Sequence, residues 1–172
     1  MSEFIDNEDI VKSKGVIEVI AVATEFCRFI EQIDRYDAQE RIPFLQKILT
    51  ALYLKGLLFP SIDVNDDAYN QRFVTEEEYE LLRVKLTNCF ADNDLFSVVD
   101  YAEASTEPKI LSFAELLADI YLDLKDFLLL YNSGTMAAQE NAVASCKELF
   151  DSNWGYKLAV ILPYMHVISL NF

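Results

Sequence analysis

The stretch 112–131, SFAELLADIYLDLKDFLLLY, constrains the fold of this chain more than any other. Its apolar residues cover most of a helical projection, and a helix that is apolar nearly all round packs against several neighbours at once. Its acids are confined to one side. At roughly 100° per residue, Glu115, Asp119, Asp123 and Asp126 fall within an arc of about 80°. The pattern predicts a central helix with one acidic stripe, which either faces water or holds something cationic.

The rest of the chain supplies neighbours of the same kind. From Val16 to Tyr36, apolar residues recur at three and four, through Ile17, Ile20, Ala23, Phe26, Cys27, Ile30 and Ile33. Glu31 and Arg35 have the spacing of a favourable pair on that helix. Asp37 can cap a second helix that has Pro43 in its first turn and ends before Pro60. The short connection predicts an antiparallel helical hairpin. Residues 61–74 read as an acidic loop with Asp63, Asp66 and Asp67, without the glycine register of an EF-hand. Thr75-x-x-Glu78 is a capping box for a third helix.

Residues 92–110 form a long connection of low periodicity, carrying Asp92, Asp94, Asp100, Glu103 and Glu107 around Leu95, Phe96, Val98, Val99 and Tyr101. A helical turn is expected near 95–99. Ser112-x-x-Glu115 is a second capping box, opening the central helix. Gly134 reads as its left-handed C-cap and Thr135 as the next N-cap. Asp151 reads as the cap of the last helix, which Pro163 should kink.

The expectation is an all-α, single-domain bundle of about six helices with one long crossover connection. A polar arm over residues 1–14 precedes a helical domain over 15–172. Only four glycines and four prolines punctuate 172 residues, too few for an all-β fold. Cys27, Cys89 and Cys146 are odd in number and unclustered, which argues against a disulfide framework or a zinc site and for a reducing compartment. The acidic N-terminus lacks the pattern of a signal peptide, and the longest apolar run, 158–170, is too short for a membrane span. The cytoplasm is the expected location.

The charge of −15, from 29 acids against 14 bases, repels phosphate, so neither nucleic acid nor an anionic membrane is an expected partner. A basic protein or a divalent cation would be attracted, although solubility alone also accounts for such a charge. Asp119, Asp123 and Asp126 line one helix face as hard cations such as Mg²⁺ or Mn²⁺ require, and glutamates 76, 77, 78 and 80 could face them. The same stripe could instead pair with Lys55, Arg83 or Lys157. Trp154 with Gly155 fits close helix packing, or a stacking platform for a ligand. The lone His166 lacks the local signature of a triad and reads as a structural residue at the bundle end.

Several of these features resemble an uncharacterised bacterial family of small acidic all-helical proteins, described as a domain of unknown function. The resemblance rests on Leu57-Leu58-Phe59-Pro60, Tyr79-x-x-x-Arg83, Asp119-x-x-x-Asp123-x-x-Asp126-Phe127, Trp154-Gly155 and the late His166, over about residues 16–170. The segment Leu162-Pro163-Tyr164-Met165 departs from it, because the family has a basic residue before the histidine. The resemblance implies an all-helical cytoplasmic protein and no particular activity. A fainter similarity is to the all-helical nucleoside-triphosphate pyrophosphatases. Residues 115–122, ELLADIYL, are similar to their metal helix, with one extra residue between Glu115 and Asp119, and Glu77-x-x-Glu80 could be the companion pair. That similarity implies carboxylate-held Mg²⁺ acting on a triphosphate. Three readings follow: a non-enzymatic binding or adaptor protein with an acidic surface, a metal-dependent hydrolase of that type, and an immunity or antitoxin protein masking a basic partner.

Overall fold

The computed structural model describes residues 6–64, 66, 68–69, 71–99 and 107–172. Asp67, Asp100, Tyr101 and Glu103, which belong to the two acidic connections, lie outside the described residues, as does the start of the N-terminal arm. The chain runs through α1 (Asn7–Val11), α2 (Lys14–Glu31), α3 (Ala38–Leu57), α4 (Glu76–Phe90), β1 (Leu95–Val98), β2 (Lys109–Ser112), α5 (Phe113–Tyr131), α6 (Met136–Leu149) and α7 (Gly155–Ser169). The protein is an all-α bundle with one small antiparallel hairpin, and the helices expected from periodicity are α2 to α7.

The central helix is α5. Phe113, Leu117, Ile120 and Leu124 are fully buried, and the helix packs on α2, α4, α6 and α7. Capping follows the sequence at most helix starts. Asp37 with Glu40 and Thr75 with Glu78 form reciprocal capping boxes, and Thr135 accepts from the N–H of Ala138 at 3.2 Å. Gly134 has φ of +88°, the left-handed region in which glycine carries no Cβ penalty. Glu18 near the start of α2 meets Lys55 near the end of α3 at 2.8 Å, as an antiparallel helical hairpin requires.

The structure corrects the sequence reading in several places. The connection after α4 forms the hairpin rather than a helical turn, with Leu95 opposite Ser112 and Val98 opposite Lys109. Along β1 an exposed Leu95 is followed by a buried Phe96 and an exposed Ser97, the period-two alternation of a half-buried strand. Phe96 stacks on Tyr164 of α7 with ring centroids 4.4 Å apart. The strand's partner lies too far along the chain to leave a local signal.

The second capping box is only half formed. Ser112 Oγ accepts from the N–H of Glu115 at 3.1 Å, the Glu115 side chain does not bond back, and Asp94 adds a second cap of its own. Its Oδ1 accepts from the N–H of Ala114 at 2.7 Å and its carboxylate accepts from Ser112 Oγ at 3.0 Å. Glu115 itself is exposed.

No helix starts at Asp151. A π-helical segment, Phe150–Trp154, carries α6 into α7 without a break, and Asp151 pairs with Lys147 at 2.7 Å. Pro163 lies on the exposed side of α7, which continues to Ser169. Glu31 ends α2, so Arg35 falls in a separate 3-10 turn (Ile33–Arg35) and Glu31 pairs instead with Lys125 at 2.6 Å. In the N-terminal arm, α1 docks: Val11 is fully buried and its carbonyl accepts from the Tyr131 hydroxyl at 2.8 Å.

Among the described residues no helix is long and apolar enough to cross a membrane. The three cysteines are free, with Cys27 and Cys146 buried. Burial pushes the Cys27 thiol up to about 12 and that of Cys146 further in the same direction, so neither is a ready nucleophile.

Candidate functional site

The acidic stripe of α5 turns from solvent at Glu115 to the interior at Asp123 and Asp126. Asp123 is 4% exposed and Asp126 is 6% exposed. Buried carboxylates need donors to offset lost hydration, and the segment entering α4 provides several. Asp126 Oδ1 accepts the backbone N–H groups of Phe73 at 2.8 Å and Val74 at 3.0 Å. Arg72 lays its Nη1 between Asp126 Oδ2 and Asp123 Oδ1, 3.2 Å from each. From the π segment, Asn153 donates to Asp123 Oδ2 at 2.6 Å. Further up the stripe, Asp119 accepts from the Tyr79 hydroxyl at 2.7 Å and from Lys157 at 2.6 Å.

Each of the six carboxylate oxygens of Asp119, Asp123 and Asp126 therefore accepts from a donor of the protein itself. A divalent ion would have to displace an arginine or a lysine to reach them. Among the described residues no group of three or more His, Cys, Asp or Glu side chains is placed to hold a metal. Glu76, Glu77 and Glu80 are exposed on α4, with Glu80 paired to Arg83 at 2.7 Å and Glu78 in the α4 capping box. As arranged, these carboxylates do not fit a hard cation.

The charges are tuned by this packing. Burial raises the pKa of Asp123 above the ordinary carboxylate value, and the bonds from Asn153 and Arg72 only partly oppose it. Partial burial works against the charge of Arg72, but its bonds to Asp126 and Asp123 outweigh this and raise its pKa. Burial, then the bond to Asp119, raises that of Tyr79. Beside the cluster lies a cavity of about 230 Å³, where Arg72, Asp123 and Asp126 meet Ser145, Cys146 and Glu148. The Arg72 side chain is 53% exposed at its mouth.

The arrangement fastens one segment to the bundle. Asn7 holds the carbonyl of Asp63 at 3.0 Å, Asn141 of α6 holds that of Asp66, and Asp126 holds the amides of residues 73 and 74. Three elements, α1, α5 and α6, thus pin the path from α3 to α4.

A family model described as a domain of unknown function, DUF5063, matches residues 11–171. The chain belongs to this family. It is also similar to a structural-genomics protein from Bacteroides fragilis, known from its crystal structure. That likeness has 33% identity and a TM-score of 0.81, over 92% of this chain and 94% of the other. No curated protein matches. The residues that carried the family resemblance meet in space: Tyr79 bonds to Asp119, and Phe59 packs edge-on against Phe127 with ring centroids 5.8 Å apart.

Trp154 and Gly155 belong to the packing between α3 and α7. Trp154 is fully buried, donates to the carbonyl of Cys146 at 3.2 Å and meets Phe150 edge-on, so no face is open for a ligand. His166 is exposed in the last turn of α7, roughly 13 Å along the helix from Lys157. Its carbonyl accepts from Ser169, and among the described residues its ring has no hydrogen-bond partner. The structure therefore does not bring it to the acidic stripe.

Two residues of the cluster escaped the sequence reading. Arg72 carried a usable signal, as the one base in the acidic segment 61–74. Asn153 carried none, because it sits in what reads as a helix start.

Proposed function

We propose that the protein is a non-enzymatic binding protein whose acidic surface holds a basic protein partner. The division of its carboxylates carries this reading. Asp119, Asp123 and Asp126 of α5 are taken up by internal donors, whereas the first turn of α4 presents Glu76 and Glu77 to solvent. Among the described residues, no cation pairs with either of them. With a net charge of −15 around that turn, the field speeds encounter with a cationic surface and repels phosphate. An immunity or antitoxin protein masking a basic toxin is one form of the same reading. Free cysteines suit a cytoplasmic setting.

The metal-dependent hydrolase is the weaker alternative. It would require Asp119, Asp123 and Asp126 to give up Tyr79, Lys157, Arg72 and Asn153 before a cation could be held.

The test is a photo-crosslinking residue at position 77 of the full chain in its native cell, with adducts identified by mass spectrometry. The expected adduct maps to a Lys- and Arg-rich protein segment. It should be lost on Glu76→Lys and in about 0.5 M salt, where surface charges are strongly screened. Adducts confined to acidic proteins, or Mg²⁺-dependent hydrolysis of nucleoside triphosphates by the purified chain, would overturn the reading.

A further inference from the structure

A groove of about 450 Å³ runs between α4 and α5, lined by Phe73, Val74, Leu81, Leu82, Tyr121 and Leu129. Three of its apolar residues are open to solvent: Leu81 is 66% exposed, Leu129 39% and Phe73 37%. Leu129 is the one large apolar side chain of α5 that is exposed. A helix otherwise apolar only toward the core thus brings a large apolar side chain to the surface here. Lone exposed leucines are ordinary, but apolar residues of two helices and a loop converging on one groove mark an interaction site.

The charges around the groove differ from end to end. At one end Lys85 and Lys125 are turned onto α2 and neutralised there. Lys125 bonds to Glu31 Oε1 at 2.6 Å, and Lys85 bonds to the Glu31 carbonyl at 2.7 Å and lies 3.7 Å from Asp34. At the other end stand Glu77 and Glu78 of the first turn of α4. The Thr75 N–H and hydroxyl lower the pKa of Glu78, and Glu77, one turn before Leu81, faces water beside it, whereas Glu76 falls on the other side of α4 with Tyr79 and Glu80. Along α4 the two ends are roughly 13 Å apart, between two and three helical turns.

Resting on the binding role argued above, we propose that this groove seats a cationic amphipathic helix of the partner protein. Its apolar residues, spaced at three and four, would lie between Leu81 and Leu129, and its lysines or arginines would meet Glu77 and Glu78. Charge complementarity selects this occupant. A second copy of the chain would bring its own charge of −15 to an acidic rim, and an acidic helix would be repelled in the same way.

The test uses the full chain and two labelled synthetic peptides of about 18 residues, one patterned with Leu and Lys and one with Leu and Glu in the same places. Binding is read by fluorescence anisotropy in low and physiological salt. The Leu/Lys peptide should bind, and the Leu/Glu peptide should not. Leu81→Ser and Leu129→Ser should each weaken binding roughly tenfold, as expected for losing one buried leucine contact. Leu58→Ser, at a leucine 63% exposed and outside the groove, should leave it unchanged. Leu81 and Leu58 are more than 60% exposed, so their variants should melt close to wild type, whereas Leu129→Ser, at a leucine 39% exposed, should lower the melting temperature by a few degrees; melts measured alongside show that each variant is folded. Binding weakened equally, or not at all, by the three substitutions would overturn the groove and leave the basic-partner reading standing. Failure of the Leu/Lys peptide to bind wild type even in low salt would overturn that reading as well. A dimer of the chain alone that Leu81→Ser dissolves would assign the groove to a second copy instead.

Discussion

Asn153 donates its side-chain amide to Asp123 across 2.6 Å, and it does so from inside a π-helical segment. In a straight α-helix the register after Phe150 would be different, so the extra residue of the π turn sets which side chain meets the buried carboxylate. Asn153→Ala leaves Asp123 Oδ2 buried without that donor, and the expected cost is about 2 kcal/mol in urea-unfolding free energy. Asn153→Asp should cost more, because it sets a second carboxylate against a buried one. An alanine variant as stable as wild type would mean that the contact contributes nothing to stability.

The occupied oxygens of Asp119, Asp123 and Asp126 make a statement about metals that a melt can check. A bound ion at a hundredfold excess over Kd would add about 2.7 kcal/mol, or several degrees for a chain of this size. The expected result is the same melting temperature in EDTA, Mg²⁺ and Mn²⁺. A metal-dependent rise that Asp123→Asn abolishes would make the stripe a cation site and revive the hydrolase reading.

Gly56 lets α3 pack closely on the π segment, and Gly155 lies against Phe150, one π turn earlier in the chain. A Cβ on Gly56 would lie 2.3 Å from the Phe150 ring and 2.9 Å from Trp154, and one on Gly155 would lie 2.3 Å from the Phe150 carbonyl oxygen. Neither a packed ring nor a helical carbonyl can give way by that much without cost. Gly56→Ala should therefore destabilise by about 3 kcal/mol, lowering the melting temperature by roughly 10 °C. A Cβ on Gly15 would meet ordinary contacts at 3.4 Å and longer, so Gly15→Ala should change little and serves as the comparison.

Ala91 ends α4 with φ of +46° and ψ of −114°, a conformation that a Cβ makes costly. The turn after it sets Asp94 beneath the start of α5, which explains why the chain holds this geometry. Ala91→Gly should relieve the strain and stabilise the fold by about 1 kcal/mol, less the added freedom of the unfolded chain. A calorimetric melt below wild type would contradict this account.

The fold was readable where its cause is local. Spacing at three and four marked α2 to α7, and Asp37 and the pair Thr75 with Glu78 announced their helix starts because each cap closes within one turn. The hairpin was not readable, because β1 gains its partner only across the long connection and its burial only from Tyr164. Asp94 was hidden for the same reason: it caps α5 from 20 residues away in sequence, measured to Ala114. The acidic stripe was correctly found as one helix face, but its character depended on Arg72, Asn153 and two backbone amides that no periodicity connects to it.

Asp123 and Glu78 should shape the acid side of the stability curve in opposite directions. Burial raises the pKa of Asp123 in the folded chain. Between its ordinary value near 4 and that raised value, the native state holds more protons than the unfolded one. Its contribution to stability is therefore greatest below the ordinary value and is lost as pH rises through the folded one. Glu78 is lowered by the N–H and hydroxyl of Thr75. Its contribution is present above the ordinary carboxylate value and is lost as pH falls through the folded one. Urea unfolding of wild type, Asp123→Asn and Glu78→Gln at pH 7 and near pH 4 separates the two effects. The stability of wild type relative to Asp123→Asn should increase toward the lower pH, and that relative to Glu78→Gln should shrink. If the gap to Asp123→Asn instead closed on acidification, the carboxylate would be ionised in the fold more easily than in the unfolded chain, and Arg72 with Asn153 would outweigh burial.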